Sequence, residues 1–188
     1  MINRKFIYIA FNKPYGILSQ FTSESPDDNL SVFGLPKNIY ACGRLDKDSE
    51  GLLFLTNDGD LINRLLNPKF EKEKTYWAQV ENIPSADSLK KLQAGIALKD
   101  FTTLPCKAKI LDPVPVITER NPPIRSRLTI PTCWIEIKIK EGKNRQVRRM
   151  TAAIGCPTLR LIRKQIGNLE LGALLPGEFK YISKEDIQ

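Results

Sequence analysis

The cleanest alternation in the chain runs from Trp134 to Lys140, where Ile135, Ile137 and Ile139 point one way and Glu136, Lys138 and Lys140 the other. Period-two patterning predicts a half-exposed strand of an antiparallel sheet. Gly51-Leu52-Leu53-Phe54-Leu55-Thr56 is a compact apolar run of the length of a buried strand. Further strands are expected over 5–11, 75–80, 158–166 and 178–183. In a regular strand Tyr76 and Trp77 face opposite ways, and Trp77 reads as core. Helical patterning predicts a segment from Ser85 to Gln93, capped by Ser85, with Leu89 and Leu92 on its apolar face and Gly95 past its end. A second helix is expected from Arg145 to Ile154, with Val147, Met150 and Ile154 on one face and Gly155 and Pro157 ending it. A short third, over 61–67, is expected behind Asp60 as cap and before Pro68.

Turn residues punctuate these elements. Asn12-Lys13-Pro14-Tyr15-Gly16 breaks the first strand, polar residues and proline crowd 20–38, and Pro113, Pro115, Pro122 and Pro123 mark a long loop. Many strands, few helices and no regular βαβ alternation indicate an α+β fold with a mainly antiparallel sheet. The 188 residues are read as a single domain, 1–188.

Composition narrows the chemistry. The chain has no histidine, which removes every Ser-His and Cys-His nucleophile system. Cys42, Cys106, Cys133 and Cys156 form no Cys-x-x-Cys pair, so a structural zinc site is rejected and four buried or half-buried thiols are expected. No run of about 18 apolar residues occurs, so no membrane span is expected. The N-terminus reads as a strand rather than a signal peptide, which makes the cytoplasm the default compartment. Net charge is +8, and the segment from Arg120 to Lys164 holds eight arginines and four lysines against Glu136 and Glu141. That segment carries +10 and the rest of the chain −2. An arginine-dominated block of this kind points to a polyanion partner such as nucleic acid.

Two stretches go beyond composition. One runs from Gly43-Arg44-Leu45-Asp46 through Ser49-Glu50-Gly51-Leu52-Leu53 to Thr56-Asn57-Asp58-Gly59. The other is Glu141-Gly142-Lys143-Asn144-Arg145-Gln146-Val147-Arg148-Arg149-Met150. Both resemble the signature segments of the RsuA/RluB/RluE/RluF family of ribosomal RNA pseudouridine synthases. Lys74-Thr75-Tyr76 matches the family's Lys-x-Tyr, and Asn12-Lys13-Pro14-Tyr15-Gly16 its opening segment. The resemblance spans residues 5 to 180 or so, nearly the whole chain. Many members carry an N-terminal S4 RNA-binding domain; the chain resembles the short RluE-type members that lack it.

The resemblance implies a two-lobed catalytic domain that needs no cofactor and no metal, and a ribosomal RNA partner of the large subunit; a monomer is the default state. Asp46 is implied as the nucleophile, a role a carboxylate also fills in retaining glycosidases. Arg148, two residues after Gln146, is implied as the cation that keeps Asp46 ionised, its guanidinium expected within roughly 3 Å of the carboxylate. Arg149, about 100° further round the helix, is the other candidate for that place. Tyr76 is implied as the stacking partner of the flipped-out base. Arg44 and Lys74, with Arg125, Arg127, Arg145 and Arg149, are implied as substrate-binding residues; Arg120, Arg160, Arg163 and Lys164 belong to the same basic segment. Asp48, Glu50, Asp58 and Asp60 are read as turn and cap residues. Two rivals stand beside this reading: a non-catalytic RNA-binding or ribosome assembly factor on the same fold, and a small-molecule nucleoside glycosidase.

Overall fold

The computed structural model describes residues 6–25, 27–67, 69, 72–124 and 129–187. Its strands are β1 (Tyr8–Lys13), β2 (Tyr40–Ala41), β3 (Glu50–Thr56), β4 (Lys74–Glu81), β5 (Lys107–Ile110), β6 (Thr132–Ile139), β7 (Thr158–Ile166), β8 (Leu169–Glu170) and β9 (Phe179–Tyr181). Its helices are α1 (Gly59–Leu66), α2 (Ala86–Ala94) and α3 (Gln146–Ala153). The expected α+β class holds. The chain divides into two compact units, Met1–Lys72 with Gln165–Gln188, and Glu73–Lys164.

In the first unit β1 lies antiparallel between β3 and β9, with Phe11 opposite Leu53 and Phe179. β2 extends the other side of β3. Every residue of β3 is buried, which is why this stretch reads as continuous apolar sequence. Ile9, Phe11, Leu30, Ile39, Leu53 and Leu55 make one core cluster. Each such side chain contributes about 1.5–3 kcal/mol when fully buried.

β1 runs two residues further than expected, to Lys13. Lys13 stays in the ladder opposite Gly51 instead of starting the turn. Its side chain is fully buried, and Nζ donates to the carbonyls of Pro14 at 2.9 Å, Ile17 at 2.6 Å and Lys47 at 3.4 Å. Backbone acceptors thus satisfy an ammonium that would otherwise be too costly to bury. The cap of α1 also differs. Asp58, not Asp60, is the N-cap, its Oδ1 accepting the Leu61 N–H at 3.0 Å. The helix therefore starts at Gly59, and Asp60 sits exposed in its first turn.

In the second unit β4 and β5 flank β6, both antiparallel to it. Ile135, Ile137 and Ile139 are buried and Lys140 is exposed, as the alternation requires. The facing of β4 is the reverse of what was expected. Tyr76, opposite Ile137, shares the buried face with Ala78 and Val80, whereas Trp77, opposite Glu136, is only half-buried. Period two separates the two rings but does not say which faces inward; pairing with the isoleucine face of β6 decides it. Trp77 instead carries Lys164 Nζ 4.7 Å from its ring centre, and its indole N–H reaches Glu136 at 3.4 Å. α2 has Ser85 as its cap, and Gln93 ties it to β5 through Ala108 O at 2.8 Å. All four cysteines are free thiols, Cys42 and Cys156 buried, Cys106 and Cys133 half-buried.

Candidate active site

Asp46 lies in the loop between β2 and β3, and its neighbours are pinned on both sides. Ser19 Oγ accepts the Leu45 N–H at 3.0 Å and donates to the Leu45 carbonyl at 2.8 Å. On the other side the Lys47 carbonyl accepts from the Gly16 N–H at 2.8 Å and from Lys13 Nζ. The Ser49 N–H closes the turn onto the Asp46 carbonyl at 3.0 Å. Leu45 is buried, Asp46 is half-buried and Arg44 is exposed. Lys47 meets Asp28 at 2.7 Å, and that contact, with the Ser23 hydroxyl, holds the Asp28 carboxyl below its ordinary range. The backbone that carries Asp46 is thereby fixed, a combination of anchored main chain and half-buried side chain suited to a group with a positional task.

In the second unit Gln146 organises the start of α3. It is buried, its Oε1 accepts the Lys143 N–H at 3.0 Å, and its Nε2 donates to Glu141 Oε1 at 2.5 Å. Glu141 Oε1 also accepts the Leu104 N–H at 2.8 Å. Arg145 caps the helix in the left-handed region at φ 48 and is exposed. The two arginines that competed for one role are separated by their partners. Arg149 meets Asp100 with both guanidinium nitrogens, Nη1 lying 3.2 Å from Oδ2. Arg148 donates from Nη1 to the Thr158 carbonyl at 3.3 Å. Lys74 is half-buried, and its ammonium lies 3.9 Å from where a Cβ on Gly142 would sit.

Tyr76, Lys74, Arg145, Arg148 and Arg149 thus belong to β4 and the opening of α3, within one unit, and Asp46 and Arg44 to the other. Parts of the basic segment depart from the expected grip on RNA. Arg160 and Arg163 are buried, at 6% and 4% exposure, and Arg160 donates to Thr118 O at 2.9 Å. Arg120 folds onto its own loop, donating to the Pro122 carbonyl at 2.8 Å. Arg125 and Arg127 lie outside the described residues. Four supporting residues were not singled out for a role in sequence: Ser19, Lys13, Glu141 and Asp100. Lys13 and Glu141 stand inside recognisable motifs, but Ser19 and Asp100 act on partners 26 and 49 positions away and carry no local signal.

A family model for RNA pseudouridylate synthases matches residues 7–153, which run through both units. The chain belongs to the RNA pseudouridylate synthase family. It is 54% identical over 170 residues to the ribosomal large subunit pseudouridine synthase E of Xanthomonas axonopodis pv. citri, covering 89% of this chain and 90% of that one. It is 54% identical over 180 residues to the protein of that name from Vibrio parahaemolyticus, covering 96% of this chain and 74% of the relative. A crystal structure of a pseudouridylate synthase superposes with a TM-score of 0.79 at 28% identity, over 97% of this chain and 73% of that one. The protein is an RNA pseudouridine synthase: it converts uridine in RNA to its carbon-linked isomer. The non-catalytic alternative is not favoured.

Proposed function

We propose that this enzyme isomerises one uridine of large-subunit ribosomal RNA, with Asp46 as its nucleophile. The observation that carries the choice of substrate is the 54% identity, along 89% of the chain, to a protein named for that RNA. The nucleophile rests on the Gly43-Arg44-Leu45-Asp46 motif and on the clamped backbone around it. The reaction breaks the N1–C1′ bond, turns the base and forms a C5–C1′ bond with loss of the C5 proton. A carboxylate suffices for it, and the chain has no histidine to offer.

Tyr76 is proposed as the flat partner of the extruded base. Stacking contributes on the order of 1–3 kcal/mol and offsets the few kcal/mol of unstacking. Arg148 is proposed as the cation that holds Asp46 ionised, since Arg149 already has Asp100. Arg44, Lys74, Arg145 and Arg149, with Arg125 and Arg127, are proposed to position the RNA through its phosphates. The two units are read as one catalytic domain working as a monomer in the cytoplasm. No helix among the described residues is long and apolar enough to cross a membrane.

The test maps pseudouridine in total RNA by carbodiimide treatment and primer extension. A strain lacking the protein is compared with the same strain carrying wild type or Asp46→Ala. One large-subunit site should vanish, return with wild type and stay absent with Asp46→Ala. Return of the site with Asp46→Ala removes Asp46 as nucleophile, and a change confined to another RNA removes the proposed substrate.

A further inference from the structure

Residues 96–103 double back as a small hairpin. The Leu98 N–H donates to Phe101 O at 2.8 Å, the Thr103 N–H to Ile96 O at 2.9 Å, and Ala97 pairs with Thr102 between them. Gly95 makes the entry possible, because a Cβ there would meet the Thr103 carbonyl at 2.5 Å. The tip presents Asp100 and Phe101 to the opening of α3. Asp100 takes the Arg149 guanidinium with both carboxylate oxygens. The Phe101 ring lies beneath two cations, Lys143 Nζ at 3.8 Å and Arg149 Cζ at 5.0 Å from its centre.

We propose that Arg149 and Lys143 form a phosphodiester-binding site, and that Asp100 fills it in the free protein as an internal anion that RNA displaces. The inference builds on the RNA-modifying activity. It does not depend on which RNA is the target.

The forked contact of Arg149 with a carboxylate is the geometry a guanidinium offers to two phosphate oxygens. The aromatic ring holds both cations in place, so little order is lost when one anion replaces another. Exchange is open because the pair is accessible, with 62% of the Asp100 and 30% of the Arg149 side chain exposed. An exposed ion pair contributes little net stability, whereas each phosphate contact releases condensed counterions from RNA. The hairpin is also anchored without Asp100, through Leu104 N–H to Glu141 and through Phe101 beneath Lys143. Asp100 is therefore not needed to hold it. An internal anion at this place weakens adsorption of any polyanion and favours an RNA whose other contacts deliver a phosphate to Arg149.

The experiment measures binding of full-length protein to a large-subunit rRNA transcript, and to an unrelated RNA of equal length, across a salt series. Pseudouridine formation by wild type on the same transcript is scored in parallel, so a wrong substrate is recognised independently. Asp100→Asn should bind the unrelated RNA roughly three- to tenfold more tightly than wild type. Its plot of log affinity against log salt should steepen by about 0.7–0.9, the value of one more phosphate contact. Adding Arg149→Gln to Asp100→Asn should abolish both gains. In wild-type protein, saturation with a short oligoribonucleotide should move the Asp100 carboxyl titration, followed by carbon NMR, to higher pH. A merely structural ion pair predicts the opposite sign: Asp100→Asn binds RNA equally or less well, and the wild-type Asp100 titration ignores RNA. Either result overturns the proposal, and the NMR arm stands even if the variant folds poorly.

Discussion

Ser19 holds Leu45 by both polar groups of one residue, its hydroxyl accepting the Leu45 N–H at 3.0 Å and donating to the Leu45 carbonyl at 2.8 Å. Both residues are buried, so no water replaces the hydroxyl if it is removed. Ser19→Ala should then cost about 1–3 kcal/mol of stability, the penalty for leaving such groups unsatisfied. Since Asp46 is the next residue, kcat should fall more than KM rises. Urea unfolding and single-turnover kinetics check the two halves separately.

Lys13→Met should destabilise the first unit by about 3 kcal/mol or more. The substitution preserves length and volume but strips a charged donor from the Pro14, Ile17 and Lys47 carbonyls in a site with no exposure. Equilibrium denaturation with a probe in the first unit measures this. An unchanged midpoint would show that the carbonyls find other donors.

Arg148 and Arg149 should separate kinetically. Arg148→Gln is expected to lower kcat by about 100- to 1000-fold, the usual effect of losing one electrostatic partner of a reacting group. Arg149→Gln should leave kcat on saturating RNA nearly intact, while weakening RNA affinity and reducing the salt slope by about one contact. Saturation kinetics on one transcript at two salt concentrations distinguishes them. Equal kcat losses would count against the assignment of Arg148.

Tyr8 and Asp58 set opposite pH limits. Burial, then the hydrogen bond and charge of Asp58 at 2.9 Å, push the Tyr8 hydroxyl from 10.0 up to about 12. The folded protein thus favours neutral Tyr8. That stability is complete below pH 10 and is lost as pH rises from 10 towards 12. For Asp58, burial pushes the carboxyl up, but the Leu61 amide, the Tyr8 hydroxyl and Lys184 outweigh it and hold it below 3.8. Its contribution is present above 3.8 and is lost as pH falls through its lowered value. Thermal unfolding of wild type and Tyr8→Phe should converge as pH rises through the alkaline window. Asp58→Asn should flatten the acid limb instead.

Much of this molecule was legible in the order of its residues. The isoleucine alternation of β6, the apolar run of β3, the Ser85 cap of α2 and the extent of α3 all depend on neighbours within one or two turns or pleats. The sequence therefore determines them locally. The family could be read for a related reason: its motifs are contiguous runs around Asp46 and Arg148. What local pattern left open was orientation and partnership. Nothing near Tyr76 says that it, rather than Trp77, turns inward; the register against β6 does. Asp58 and Asp60 are equivalent as caps until Tyr8 and Lys184 arrive beside Asp58. Arg148 and Arg149 are equivalent until a hairpin 49 residues earlier places Asp100 against one of them. The burial of Arg160 likewise waits on a carbonyl supplied by another segment, as does the third acceptor of Lys13, the Lys47 carbonyl. Periodicity and caps are short-range properties of the backbone, and the chain itself determines them. Which charge meets which, and whether water is excluded from the meeting, only the tertiary structure decided, because desolvation and hydrogen-bond satisfaction act between atoms that the fold, not the sequence order, makes neighbours.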